Sequence, residues 1–215
     1  MKSLTDQQKG SLLAFVAVMF ITPDSLFIRL SNLDTWGLVF YRGIIPFFTV
    51  FFGMLLIYKL NFFKILFNSG FHGIIYIATF SITNITFVVS IQNTNVANTL
   101  VMIATAPMLS AILGAIFLKE PPDRKTFISI IITFFAIVYI FLDSLKVGNF
   151  YGDILGFITA LGLAVGAITI RSAKTKNLVP AAVIGKLFVA FFALFFIESF
   201  VIIDKDLFIV PLMCI

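Results

Sequence analysis

Asp24, Arg42, Asn84, Asn98 and Lys186 are set inside otherwise apolar stretches of this 215-residue chain, and they are the side chains best able to do chemistry there. A charge at the centre of a bilayer costs about 2.5–3.5 kcal/mol even on the lenient insertion scales, so each one needs a reason. Arg42 offers a planar fork suited to the carboxylate or phosphate of an anionic solute. Snorkelling to the headgroups is the competing reading for Arg42 and for Lys186, each of which lies within two turns of a span's end. Asp24 is either a substrate or proton site or the structural partner of Arg42 or Arg29. Asn84 and Asn98 lie deep enough to face a cavity, whereas Asn93 and Asn95 sit at a turn where they would cap helices.

Two further residues are candidates for helix breaking and gating. Pro107 stands near the middle of Thr94–Leu118, where it removes one backbone hydrogen bond and crowds the carbonyl of Ile103. In lipid such a carbonyl is tolerated only beside protein or water. Ala104, Thr105, Ala106, Ser110, Ala111 and Gly114 surround it, small enough for neighbouring helices to come close. Glu120 ends the same span. The helix dipole disfavours a carboxylate there, so pairing with Lys119, Arg124 or Lys125 is expected.

Other chemistries find little support. A lone histidine, His72, and a lone cysteine, Cys214, make neither a metal cluster nor an internal disulfide, and no cofactor is expected. Asp123, Asp143, Asp153, Asp204 and Asp206 are scattered rather than paired as membrane-enzyme chemistry would want, so an enzyme is not expected. The glycines Gly152, Gly156, Gly162 and Gly166 lie within an apolar span with no following lysine and hydroxyl. They read as a helix-packing face, not a phosphate cradle.

These residues must be positioned by membrane helices. The chain is 60% hydrophobic and 12% charged, with a mean hydropathy of +1.11, which places it among polytopic membrane proteins. The net charge of +5 does not indicate nucleic acid, because the basic residues are dispersed at the ends of apolar runs. Hydropathy predicts spans over about Gly10–Leu30, Thr35–Tyr58, Gly70–Ile91, Thr94–Leu118, Thr126–Leu142, Tyr151–Ile170 and Val179–Ile203, and the start of another from Leu207. No small-x-small site closes the first run, which reads as an uncleaved helix. One face of the membrane then receives Lys2, Lys9, Lys59, Lys64, Lys119, Arg124, Lys125, Arg171, Lys174 and Lys176. The other receives only Arg29, Lys146 and Lys205, so the N-terminus is expected in the cytoplasm.

A repeat is also visible. Phe27-Ile28-Arg29-Leu30 is followed by Tyr41-Arg42-Gly43, and Thr169-Ile170-Arg171-Ser172 is followed at a similar distance by Ile184-Gly185-Lys186. An odd number of spans separates the two copies and would invert the second, the arrangement of many secondary transporters.

The run Asn93–Tyr139 resembles the signature half of the EamA family in the drug/metabolite transporter superfamily: Ala97-Asn98 opens a helix, and Ala106-Pro107, Gly114 and Leu118-Lys119-Glu120 follow. Thr22-Pro23-Asp24 through Arg29-Leu30, with Tyr41-Arg42-Gly43, is similar to the first hairpin of one bacterial branch. The resemblance implies an all-α, multi-pass inner-membrane protein built from two inverted five-helix repeats. It also implies a small-molecule substrate between the halves, alternating access and a proton or solute counter-flux. Residues 11–142 would form the first repeat and 151–215 an incomplete second. The function expected is a secondary transporter, an exporter or exchanger of small metabolites, with a transport-incompetent membrane fragment or a structural membrane protein as the alternative. The incomplete second repeat points to a C-terminally truncated chain rather than to a short variant that completes itself as a homodimer.

Overall fold

The computed structural model describes Leu12, Phe15 and residues 23–59, 61–147, 150–197 and 206–213. Most of the first expected span, together with Lys2, Lys9, Glu198, Lys205 and Cys214, lies outside the described residues. All regular structure among those described is helical. It comprises α1 Asp24–Leu30, α2 Thr35–Tyr58, α3 Asn61–Asn93, α4 Val96–Ile103, α5 Ala106–Leu113, a π-helical turn Gly114–Leu118, α6 Arg124–Val147, α7 Phe150–Ala173, α8 Val179–Ala193 and α9 Asp206–Met213. Thr35–Tyr58, Asn61–Asn93, Val96–Leu118 and Phe150–Ala173 are long and apolar enough to cross a membrane, and Val179–Ala193 is a shorter apolar helix. The chain is an all-helical polytopic membrane protein.

Local chemistry sets most helix boundaries. The Asp34 carboxylate accepts the backbone N–H groups of Trp36 at 3.1 Å and Gly37 at 3.0 Å and so caps α2. Asn95 does the same for α4, accepting from Ala97 at 3.1 Å. The expected start of the third span, Gly70, is where α3 kinks: at φ 57° and ψ −137° it separates the long helix that follows from a short helical segment starting at Asn61, which the sequence did not predict. That backbone geometry is open to glycine and strained for other residues, so one stretch of chain carries a short helix and a long one in sequence. The fifth span is longer than expected, because the polar residues Arg124 and Lys125 and the segment after Leu142 continue its helix.

Pro107 breaks its helix as the sequence predicts. α4 stops at Ile103, Ala104 and Thr105 form a turn, and Pro107 falls in the first turn of α5, where its missing N–H is harmless. Thr105 ties the turn down by donating its hydroxyl to the Met102 carbonyl at 2.6 Å.

The helices α2, α3, α7 and α8 form the packed centre, with α3 lying most extensively on α7 and α2 on α8. Small residues make both contacts tight. Along α7, Gly152 meets Asn93 and Thr94, Gly156 meets Ser90, Gly162 meets Thr83 and Gly166 meets Tyr76, an antiparallel register down the length of α3. The glycine series thus packs helices. Phenylalanines such as Phe67, Phe71, Phe117 and Phe135 point outward, where lipid would cover them.

Candidate functional site

Between α1, α2, α3, α4, α7, α8 and α9 lies a cavity of about 690 Å³. Two prolines each withhold a helix hydrogen bond beside it. Pro46 in α2 cannot bond the carbonyl of Arg42, four residues back, and Pro107 cannot bond that of Ile103. Arg42 and Ile103 both line the cavity. The carbonyls that the two prolines cannot bond therefore lie at cavity depth, although only the Pro107 helix is interrupted and the Pro46 helix runs on unbroken.

Two polar centres face this space. In the first, Arg42 donates from Nη1 to the Asp24 carboxylate Oδ1. The two side chains are only 12% and 13% exposed, and the guanidinium carbon lies 5.5 Å from the centre of the Phe87 ring. Of the readings the sequence left open for Asp24, the structure realises the pairing with Arg42, and it does so in the cavity wall. Arg42 Nε is buried and has no hydrogen-bond partner among the described residues. In the second centre, Lys186 Nζ donates to Asn84 Oδ1 at 2.7 Å. The Asn84 amide donates in turn to the Phe80 carbonyl at 2.8 Å, which leaves its oxygen for the lysine. Lys186 also lies 5.5 Å over the Phe80 ring.

Glycines beside the two cations let their helices close up. A methyl on Gly43 would lie 2.6 Å from the Ala190 backbone nitrogen and 2.8 Å from the Lys186 carbonyl oxygen, so α2 touches α8 backbone to backbone. A methyl on Gly185 would lie 3.0 Å from the Phe80 ring and 3.4 Å from the Ile77 carbonyl oxygen. Ser81 completes that contact by donating to the Gly185 carbonyl at 3.0 Å. Arg42-Gly43 and Gly185-Lys186 each combine a cation with the space that admits it. Tyr76, Phe80 and Phe87 supply aromatic walls, and Thr79, Thr83 and Thr159 supply hydroxyls.

Asn98 is placed elsewhere. It does not line this cavity, and its amide donates to Asp153 Oδ2 at 3.4 Å across the α4–α7 contact. Asp153 is fully buried and also accepts the Thr94 hydroxyl at 2.5 Å. Ser90 donates to the Gly152 carbonyl at 2.7 Å, and Arg29 donates to the Thr94 carbonyl. This end of the bundle is therefore closed by a polar network. Asp206 extends it, accepting the Ser31 hydroxyl at 2.8 Å and the Asn32 N–H at 3.1 Å. Asp153 and Asp206 carry more of the packing than their dispersed sequence positions suggested. The available signal for Asp153 was a carboxylate in the first turn of a helix, the favoured end for negative charge.

Glu120 pairs with Arg171 in the last turn of α7, not with its neighbours Lys119, Arg124 or Lys125. The π-helical turn and the left-handed Lys119, at φ 57°, carry the chain back over α7. Gly114 leaves room for the arginine, whose Nη1 lies 3.5 Å from where a Gly114 methyl would sit. Unlike the Asp24–Arg42 pair, this one is about half exposed.

A helical membrane bundle with one helix broken at its proline beside a charged, aromatic cavity has the architecture of a solute carrier. The EamA-like transporter family model matches residues 8–142, more than half of the chain, and the chain belongs to that family. It is a multi-pass membrane transporter of the drug/metabolite type. No curated protein and no solved structure gives a significant match.

Proposed function

We propose that the protein is a secondary transporter that exports or exchanges small metabolites across the bacterial inner membrane by alternating access. Its N-terminus would be cytoplasmic, and a proton or solute gradient would drive it. The observation that carries this reading is the cavity in which Asp24, Arg42, Asn84 and Lys186 converge, each holding a partner that a solute could take over. Pro107 and Pro46 supply weak points in the wall about which helices can bend. Glu120–Arg171 closes one end of the α4–α7 contact and the Asp153 and Arg29 network closes the other, so opening one while the other holds would expose the cavity to one side at a time. The basic residues Lys59, Lys119, Arg124, Arg171 and Lys174 gather at the Glu120 end, which supports a cytoplasmic assignment for it.

The test is solute-driven current from proteoliposomes challenged with a panel of small carboxylates, amines and neutral amides. Arg42→Ala should abolish the response of the wild-type substrate while leaving the protein folded and inserted. Flux that survives the substitution rejects Arg42 as a site residue, and a panel that moves nothing rejects transport.

A further inference from the structure

A second cleft, of about 650 Å³, shares no lining residue with the cavity described above. Lys64, Asn68 and Ser69 of α3 line one side of it, and Thr175, Lys176 and Asn177 of the α7–α8 loop line the other. We infer that this cleft binds the headgroup of an anionic phospholipid through its phosphate, a site independent of the transport reading.

The cleft sits where the membrane helices end. α2 stops at Tyr58, α3 kinks at Gly70, α7 stops at Ala173 and α8 starts at Val179. Residues 61–69 form the short arm of α3 before the kink. Phe62 is fully buried and fastens that arm, its ring 5.3 Å from that of Phe51 in α2. Phe63 and Phe67 are exposed instead. They stand four residues apart on one side of the arm, and Lys64 and Asn68, also four apart, stand beside them about 100° round the helix. Exposed aromatic rings next to an ammonium and an amide match the boundary between acyl chains and headgroups.

The polar groups of the cleft are chiefly donors. Lys176 Nζ reaches the kink, donating to the Ser69 carbonyl at 3.5 Å and lying 3.9 Å from where a Gly70 methyl would sit. That long bond uses one of the three donors of the ammonium. Neither Lys64 nor Lys176 has a carboxylate partner among the described residues, and no described carboxylate lines the cleft. Asn177 accepts the Val179 N–H at 2.9 Å with its side-chain oxygen, so its NH₂ is the end left to bond a ligand. Two ammonium groups with amide donors and no carboxylate select an anion with several acceptor oxygens, and at a membrane edge a phosphodiester headgroup supplies them. Free phosphate satisfies the same donors but would place nothing along Phe63 and Phe67, which favours the lipid.

The experiment is native mass spectrometry of the full chain released from detergent micelles that carry equal amounts of phosphatidylglycerol and phosphatidylcholine with the same acyl chains. Phosphatidylglycerol should be retained in preference by about tenfold or more. Lys64→Gln and Lys176→Gln should each cut that preference about fivefold, the worth of one lysine near a membrane surface. Lys125→Gln, at the start of α6 and outside the cleft, should leave it unchanged. Inorganic phosphate at the lipid's concentration should not displace the bound lipid. Equal retention of the two lipids, an equal loss of preference in Lys125→Gln, or displacement by inorganic phosphate overturns the inference. The first and last are read on the wild-type protein and stand even if a variant does not fold. None of these outcomes bears on transport, which the proteoliposome current reads separately.

Discussion

Adding one methyl group to α2 should have opposite effects at two glycines ten residues apart. At Gly43 the new carbon would lie 2.6 Å from the Ala190 nitrogen, 2.8 Å from the Lys186 carbonyl oxygen and 2.9 Å from the Ala190 Cβ. Ordinary contact begins at 3.4 Å, so α8 has to retreat by about 0.8 Å, and two of the three obstacles are backbone atoms that no rotamer change can move aside. Overpacking of this kind costs about 1–3 kcal/mol. At Gly53 nothing lies within 4 Å, and alanine there gains about 1 kcal/mol of helix propensity. The propensity gain is common to both substitutions, so Gly43→Ala should be less stable than Gly53→Ala by the overpacking cost, about 1–3 kcal/mol. The assay is equilibrium unfolding in mixed detergent–SDS micelles, followed by the fluorescence of Trp36, the only tryptophan. Its ring is 4.6 Å from that of Phe196 and 5.9 Å from that of Phe192, so it reports the same α2–α8 contact at its far end. A Gly43→Ala protein as stable as Gly53→Ala would refute the backbone contact, and with it the account of how Lys186 is held beside Asn84.

Glu120→Gln and Arg171→Gln should each lower stability by no more than about 1 kcal/mol, because the pair is half exposed. Both should nevertheless change transport rates in the current assay, and exchanging the two charges in one protein should restore the wild-type rate; a rate unchanged by either single substitution removes the pair from gating. Asp123 lies outside the membrane spans and accepts the Thr126 N–H at 2.9 Å. The Thr126 side chain, and after it that backbone bond, holds its carboxyl below the ordinary value of 3.8. A depressed folded value means that the contribution is full above pH 3.8 and is lost as the pH falls through the lower folded value. Amide exchange at Thr126 should lose protection over that acid window and in Asp123→Ala at neutral pH, while Asp123→Ser should retain most of it; unchanged protection in Asp123→Ala would show that the cap does not hold the start of α6.

The helical class and most of the spans were legible in the residue order, because a bilayer enforces a local rule: every backbone group must be satisfied within its own segment, and apolar length sets the crossing. The break at Pro107 followed from one residue's missing N–H, and the packing face of α7 from glycines spaced along one helix. The boundary at Gly70 was legible, but the short helix from Asn61 that precedes it was not, because Lys64, Asn68 and Ser69 interrupt its apolar run. Pairing was a different matter. Asp24 had two candidate arginines, Glu120 had three nearer cations than Arg171, and Asn98 was as deep in its span as a cavity residue would be. Which partner wins depends on how far each helix is rotated and slid against its neighbour, and one residue turns a helical side chain by about 100°. The backbone contacts at Gly43 and Gly152 decide those rotations, and only in the assembled bundle do Arg42 and Lys186 become two walls of one cavity.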